Sequence, residues 1–216
     1  MLADASGMMY GKRYQGGTFA RRIVFQISIT GTLRSIASFN GNNGFNSRGG
    51  LIADESGNLF GTTIEGGASN RGTIFEVKGG AIKARASFTG PAGLGSVVGV
   101  VADASGNLYG TTGNDSAFGY GSVFELAKGG GLATLAAFKL PDGYSSKGTL
   151  VVDASANLFG AIALGGASNT GTIFEFVKGG GITVLINFNG TNGTSPIGDL
   201  LLPAKGLTCP RGLSER

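Results

Sequence analysis

The chain has 216 residues, of which 42 are glycine, 41% are hydrophobic and only 14% are charged. The glycines lack the three-residue period of collagen, and the hydrophobic content is too high for a solvated disordered chain. Residues 2–50 carry a net charge of +5, against +4 for the whole chain. The cations there are scattered among glycines instead of forming a basic stripe, so nucleic acid is not an expected partner.

Three sequence phrases recur along the chain with a period of about fifty residues. The first phrase, Asp-Ala-Ser-Gly-Asn-Leu-Tyr-Gly-Thr-Thr in its third copy, begins at Asp4, Asp54, Asp103 and Asp153. The second phrase, of the type Gly-Thr-Ile-Phe-Glu, contains Phe25, Phe75, Phe124 and Phe174, and each unit closes at Phe39, Phe88, Phe138 and Phe188. We therefore expect four units, at about 2–50, 51–99, 100–148 and 149–198, and an aberrant tail at 200–216 that lacks the first phrase.

Each unit contains the pattern of four short strands. In the second unit the predicted strands are 51–54, 58–63, 73–78 and 82–88, because β-branched and aromatic residues alternate there between glycine-rich turns. Gly79-Gly80 predicts a hairpin turn between the last two strands. Asp54 is placed to accept backbone N–H bonds across the Ser56-Gly57 turn, and we expect the same structural role for its three counterparts.

Four strands in about fifty residues, repeated, predict an all-β chain of four β-propeller blades. The blades form either a closed ring or an arc of a larger propeller, and a strand at 199–202 beside residues 2–4 would close the ring. Gly11, Gly61, Gly110 and Gly160 fall in mid-strand, which indicates either crowding near the propeller axis or a β-bulge.

The Asp-x-Ser-Gly-Asn-Leu-Tyr-Gly-Thr-Thr run, followed by Gly-Gly and Gly-Thr-Ile-Phe-Glu, is similar to the tandem repeat of the GloVer-containing choice-of-anchor proteins of bacteria. It also resembles NHL-type propeller blades. The resemblance implies a secreted or surface-displayed protein, although the chain begins without a signal peptide pattern. It assigns no catalytic residues.

The sequence predicts no catalytic residue, cofactor or metal ligand. Histidine is absent, and Cys209 is the single cysteine, so the usual general base and a cysteine-rich metal site are both missing. Each unit offers one aspartate at a turn, whereas a calcium loop needs several oxygen donors within about a dozen residues. No apolar run approaches the roughly 20 residues of a membrane-spanning helix.

One end of the blades is the best candidate for a binding surface. The loops between second and third strands, at 16–22, 66–71, 113–120 and 165–170, should emerge at the same end as the connections between blades. These loops differ between units while the strands do not, which is a common design for a binding face. The candidate binding residues are Arg21, Arg22, Asn70, Arg71, Asn114, Asp115, Tyr120 and Asn169.

Two functions are compatible with this pattern. The first is a non-enzymatic propeller with a binding or structural role, whose partner is an unidentified protein or glycan, and which self-associates if the propeller is incomplete. The second is a hydrolase or lyase that uses carboxylates from several blades and a divalent cation at the axis. One turn aspartate per blade favours the first function.

Overall fold

The computed structural model describes residues 1–13, 22–89, 98–113 and 118–201. Within these ranges the chain forms strands and turns without any helix, and therefore without a helix that could span a membrane. The strands form four separate antiparallel sheets, one for each predicted unit. The prediction of an all-β chain of propeller-type blades is confirmed.

The strands are numbered in chain order, and each sheet is called a blade. Blade 1 contains β1 (Leu2–Ala3), β2 (Met9–Arg13), β3 (Ile23–Ile27) and β4 (Leu33–Ser38). Blade 2 contains β5 (Ile52–Ala53), β6 (Leu59–Thr62), β7 (Thr73–Lys78) and β8 (Ala81–Ser87). Blade 3 contains β9 (Val101–Ala102), β10 (Leu108–Thr111), β11 (Ser122–Leu126) and β12 (Leu132–Ala137). Blade 4 contains β13 (Tyr144–Ser146), β14 (Val151–Val152), β15 (Leu158–Leu164), β16 (Thr172–Val177) and β17 (Gly181–Asn187).

Strand pairing follows chain order in blades 1 to 3 and from β14 to β17 in blade 4, so each of these neighbouring pairs is a hairpin. In blade 2 the turn between β7 and β8 consists of Gly79 and Gly80 alone, with φ of 56° and 80°. Positive φ at both central residues is the type I′ geometry that matches the twist of a hairpin. Blade 4 departs from the prediction because β13, from the preceding connection, adds a fifth strand beside the end of β15.

The core lies between successive blades, in interfaces that we call seams 1–2, 2–3 and 3–4. Each seam contains one hydrophobic cluster to which both blades contribute. At its centre the closing phenylalanine of one unit meets the β-strand phenylalanine of the next edge-on. The ring centroids are 5.0 Å apart for Phe39–Phe75, 5.2 Å for Phe88–Phe124 and 5.1 Å for Phe138–Phe174. All six rings are fully buried.

The mid-strand glycines are crowded, as the sequence indicated, and the crowding comes from an aromatic ring across the strand pair. Gly61 pairs across the ladder with Phe75, and a Cβ placed on Gly61 would lie 2.8 Å from the Cζ atom of that ring. Gly110 meets Phe124 in the same way, at 2.5 Å. The ring folds over its cross-strand partner, which must therefore have no side chain. A bulge does occur, but it lies one strand further out, between β7 and β8 at Ile74/Phe75.

Over the described residues, the four blades form an open series. Hydrophobic clusters join each blade to the next, and in the described part of the chain none joins blade 4 to blade 1. The strand at 199–202 that would close a ring, one of the two alternatives, does not form over residues 199–201. Instead, the Asp199 carboxylate accepts a hydrogen bond from the Thr149 N–H at 2.7 Å. The rest of the predicted tail lies outside the described residues.

Candidate functional site

Each of the four repeated aspartates braces the turn between the first two strands of its blade. The Oδ1 atom of Asp103 accepts the N–H groups of Ser105 and Asn107, both at 2.9 Å, and its Oδ2 atom accepts the Asn107 amide at 2.8 Å. Burial alone would raise the pKa of Asp103, but these bonds outweigh it and hold the pKa below its ordinary value. The same contacts recur at Asp54 and Asp153, and Asp4 is held similarly by Ser6, Met8 and Tyr10.

The opposite end of the blades, called the loop face, carries the second-to-third-strand loops and the connections between blades. Asn70 and Asn169 lie there with left-handed φ angles of 52° and 56°. Their Oδ1 atoms accept the N–H groups of Gly66 at 3.0 Å and Gly165 at 3.1 Å, four residues earlier. Both side chains are thus engaged in closing their own loops.

The other predicted loop-face residues fall into three groups. The half-buried ring of Tyr120 packs against Tyr144, with centroids 5.8 Å apart. Arg71 is half-buried beside the loop-closing Asn70. Three more predicted residues, Arg21, Asn114 and Asp115, lie outside the described residues. Arg22 is described separately below.

Arg22 is different because its side chain is buried, with 4% exposed. Blades 2, 3 and 4 have a glycine at this position, and in all four blades the backbone carbonyl accepts the N–H of the closing phenylalanine. The guanidinium of Arg22 hydrogen-bonds the Oδ1 atom of Asn46 and lies 5.8 Å from the ring centroid of Phe45. Phe45 remains 39% exposed. A cation and an open aromatic ring are therefore adjacent on the loop face.

Lys12 places a second cation in seam 1–2. Its Nζ atom donates to Ser47 Oγ at 2.6 Å and to the carbonyl of Gly49. The Ser47 hydroxyl in turn donates to the carbonyl of Thr62 in blade 2, at 2.6 Å. Burial, aided by the nearby positive charge of Arg22, lowers the pKa of Lys12 to about 7.

In seam 3–4, the position equivalent to Lys12 is occupied by a neutral residue. Thr111 occupies the place of Lys12, and its hydroxyl donates to Ser146 Oγ at 3.0 Å. Ser146 donates onward to the carbonyl of Ala161 at 3.4 Å, just as Ser47 donates to Thr62. Thus the same hydrogen-bond chain begins at a neutral hydroxyl in seam 3–4 and at an ammonium group in seam 1–2.

We call Lys12, Arg22, Asn46, Ser47, Arg48 and Glu65 the seam cluster. Asn46 is its centre: Oδ1 accepts from Arg22 and, at 3.3 Å, from Arg48 Nε, while Nδ2 donates to Glu65 Oε1 at 2.7 Å. Three cations and one carboxylate give the cluster a net charge of +2 when Lys12 is protonated. Such a partly desolvated group of cations attracts anions, because charges interact more strongly away from bulk water.

Sequence reasoning identified Arg22 but missed Lys12, Asn46 and Glu65. The signal for Lys12 was present, because the first unit has Gly-Lys-Arg where units 2 and 3 have Gly-Thr-Thr. Asn46 and Glu65 carry no comparable signal, since 19 residues separate them and only the fold brings them together.

Within the described residues, no group of three or more His, Cys, Asp or Glu side chains comes together.

Comparisons with known proteins agree with the architecture. A virginiamycin B lyase from Staphylococcus aureus superposes with a TM-score of 0.55 at 12% identity, covering 89% of this chain and 56% of the lyase chain. A gluconolactonase from Xanthomonas campestris gives 0.52 at 14% identity, covering 89% of this chain and 61% of the other. The chain therefore spans less than two thirds of these structures, and at such identities the likeness shows the fold alone.

No curated protein sequence matches the chain. A family model, however, matches residues 1–209. The resemblance to the GloVer-type tandem repeat is confirmed, and the chain belongs to the Gloeobacter/Verrucomicrobia repeat family.

Proposed function

We propose that this protein is a non-enzymatic binding protein whose loop face holds an acidic glycan at the seam cluster. The observation that carries the proposal is the juxtaposition of Lys12 and Arg22, two cations that the other blades lack, in a partly buried site. Burial of the Lys12 ammonium group costs stability, and a bound carboxylate would offset that cost.

The neighbouring aromatic ring favours a sugar as the carrier of the anionic group. Phe45 is 39% exposed and lies beside Arg22. Carbohydrate sites commonly combine an aromatic platform with a few polar groups that fix orientation. Arg48 is exposed at the same rim and would meet the carboxylate from the solvent side.

Calorimetry with uronate oligosaccharides tests the proposal. Because the pKa of free Lys12 is about 7, a bound anion would raise it, and binding at about pH 8 should take up a proton. The apparent enthalpy should then depend on the ionisation enthalpy of the buffer. Neutral oligosaccharides of the same length and an acidic peptide serve as the comparison ligands.

Matched variants locate the site. We expect Lys12→Thr to abolish the proton uptake and to weaken uronate binding at least tenfold, about 1.4 kcal/mol. Lys83→Thr, which removes an exposed lysine from β8, should bind like the wild type. Equal binding by Lys12→Thr, or tighter binding of the acidic peptide than of any uronate, would rule out an acidic glycan at this seam.

The enzyme alternative has weaker support. Both fold neighbours carry enzyme names, a lyase and a lactonase. A propeller enzyme of the expected kind would bring carboxylates from several blades to a divalent cation, whereas the repeated aspartates Asp54, Asp103 and Asp153 each brace their own turn. Calorimetry with Ca²⁺ separates the alternatives, because tight binding would favour the enzyme.

We also propose that the protein acts outside the cell or at its surface. The support is the resemblance to choice-of-anchor proteins. Cell fractionation of the native host, with the protein detected by antibody, tests this directly, and recovery of the protein in the cytoplasm would overturn it.

A further inference from the structure

Blade 4 exposes an apolar face that the other three blades bury. Val24, Ile74 and Val123 point into the seams and are fully buried, whereas Ile173, at the same position of blade 4, is half-buried. Its ladder partner Ile186 is 47% exposed. We call Phe159, Ile173, Leu185, Ile186 and Phe188 the trailing face.

Blade 1 also exposes an apolar face, on the side of its sheet that faces away from blade 2. Phe75 and Val77 of blade 2 are buried against blade 1, whereas their counterparts Phe25 and Ile27 are half-buried. Leu33, which pairs with Ile27, is 52% exposed. We call Met9, Phe25, Ile27 and Leu33 the leading face.

The two faces are complementary, because the equivalent faces of successive blades pack together in all three internal seams. Every internal seam packs the trailing side of one blade on the leading side of the next, with one edge-on phenylalanine pair at 5.0–5.2 Å. Phe188 and Phe25 are the two members of this series that lack such a partner among the described residues. Exposed groups of neighbouring apolar side chains that other blades bury are typical of association sites.

We propose that a second copy of this chain stacks its leading face on the trailing face of the first. The contact is head-to-tail, and the repeat geometry makes it equivalent to an internal seam. A second, identical contact between the remaining faces closes a two-fold ring, since head-to-tail interfaces form rings when their rotation closes. Two copies supply eight blades, which lies within the range of closed propellers.

The first experiment measures the mass of the whole chain by light scattering after size exclusion, at concentrations up to about 0.1 mM. We expect the mass of two chains. Ile186→Lys and Leu33→Lys should each weaken association at least about tenfold, because a lysine would be buried in the contact. Leu140→Lys alters a connection residue that is also 52% exposed, and it should remain dimeric.

The second experiment distinguishes head-to-tail from face-to-face pairing. Phe25→Cys and Phe188→Cys are each made with Cys209→Ser, so that every chain has one thiol. A short bismaleimide should cross-link the mixture of the two variants and neither variant alone.

The outcomes decide the proposal. A monomeric wild type, a longer polymer, cross-linking within one variant, or association that survives both lysine substitutions would overturn it. Circular dichroism of each lysine variant, taken at a concentration below dimerisation, should match the wild type. These results are independent of uronate binding, because both faces lie away from the seam cluster.

Discussion

At the scale of single residues, one position of the repeat shows how a neutral structural site becomes a charged one. Thr111 bridges seam 3–4 through Ser146, and Lys12 makes the equivalent bridge through Ser47. The hydrogen-bond chain is preserved while an ammonium group replaces a hydroxyl. Burying that charge costs stability unless an anion compensates it. A residue that lowers stability within an otherwise regular repeat is a good indicator of function.

The pKa of Lys12 predicts a specific pH dependence of the free energy of unfolding. Between about pH 7 and 10.5 the unfolded chain binds the Lys12 proton and the folded chain does not, so stability rises with pH in that window. Lys12→Thr should remove this rise and be more stable than the wild type by about 1–2 kcal/mol at about pH 6.

Urea unfolding at several pH values measures both effects. Lys83→Thr is the control, since an exposed lysine should leave the pH slope unchanged. An identical slope in the wild type and Lys12→Thr would show that Lys12 ionises normally in the folded state.

At the scale of structural elements, local sequence patterns predict the strands and turns of each blade. The strand predicted at 73–78 is β7 as observed, because a run of β-branched and aromatic residues ends at Gly79-Gly80. The first strand of blade 2 was predicted at 51–54 but covers Ile52–Ala53 alone. Asp54 already belongs to the turn, where its carbonyl accepts the Gly57 N–H at 3.0 Å.

Features that depend on contacts between distant residues could not be predicted in this way. Tyr144–Ser146 has no strand pattern of its own, and it pairs with β15 only because the connection passes the end of that strand. The reason for Gly61 also lies elsewhere, in the ring of Phe75 across the ladder. The seam cluster could be predicted only in part. Comparing the four repeats reveals Lys12, but only the fold brings Glu65 to Asn46.

The aspartate turns give a prediction about the blade as an element. Asp103→Ala removes the acceptor for Ser105, Asn107 and the hydroxyl of Tyr109, and should cost about 1–2 kcal/mol of unfolding free energy at about pH 7. Because the pKa of Asp103 lies below its unfolded value of 3.8, the carboxylate's contribution is complete above that pH and disappears as the pH falls through the folded value.

Chemical unfolding of the wild type, Asp103→Ala and Asp103→Asn at about pH 7 and pH 3 tests this role. Asp103→Asn keeps an oxygen for the two backbone N–H groups and should recover at least half of the loss. A difference between the wild type and Asp103→Ala that stays constant on acidification would argue against an ionised brace.

At the scale of the whole molecule, the chain is a stack of blades held together by nearest-neighbour seams. No blade buries both of its faces internally except blades 2 and 3, which lie between described neighbours. In such arrays stability is approximately the sum of the repeat and interface contributions. The same residue should therefore matter differently according to whether its blade face is covered.

Phe88 and Phe188 provide a matched pair for this idea, because they close units 2 and 4 at the same repeat position. Phe88 is fully buried against Phe124 in seam 2–3, and Phe188 lies half-buried on the trailing face. Below the concentration at which chains associate, Phe88→Ala should lower the free energy of unfolding by about 3–5 kcal/mol and Phe188→Ala by about 1–2 kcal/mol. Equal losses would mean that seams contribute little beyond the blades themselves. At concentrations where two copies pair, the loss for Phe188→Ala should approach that for Phe88→Ala, since the open face then becomes a seam.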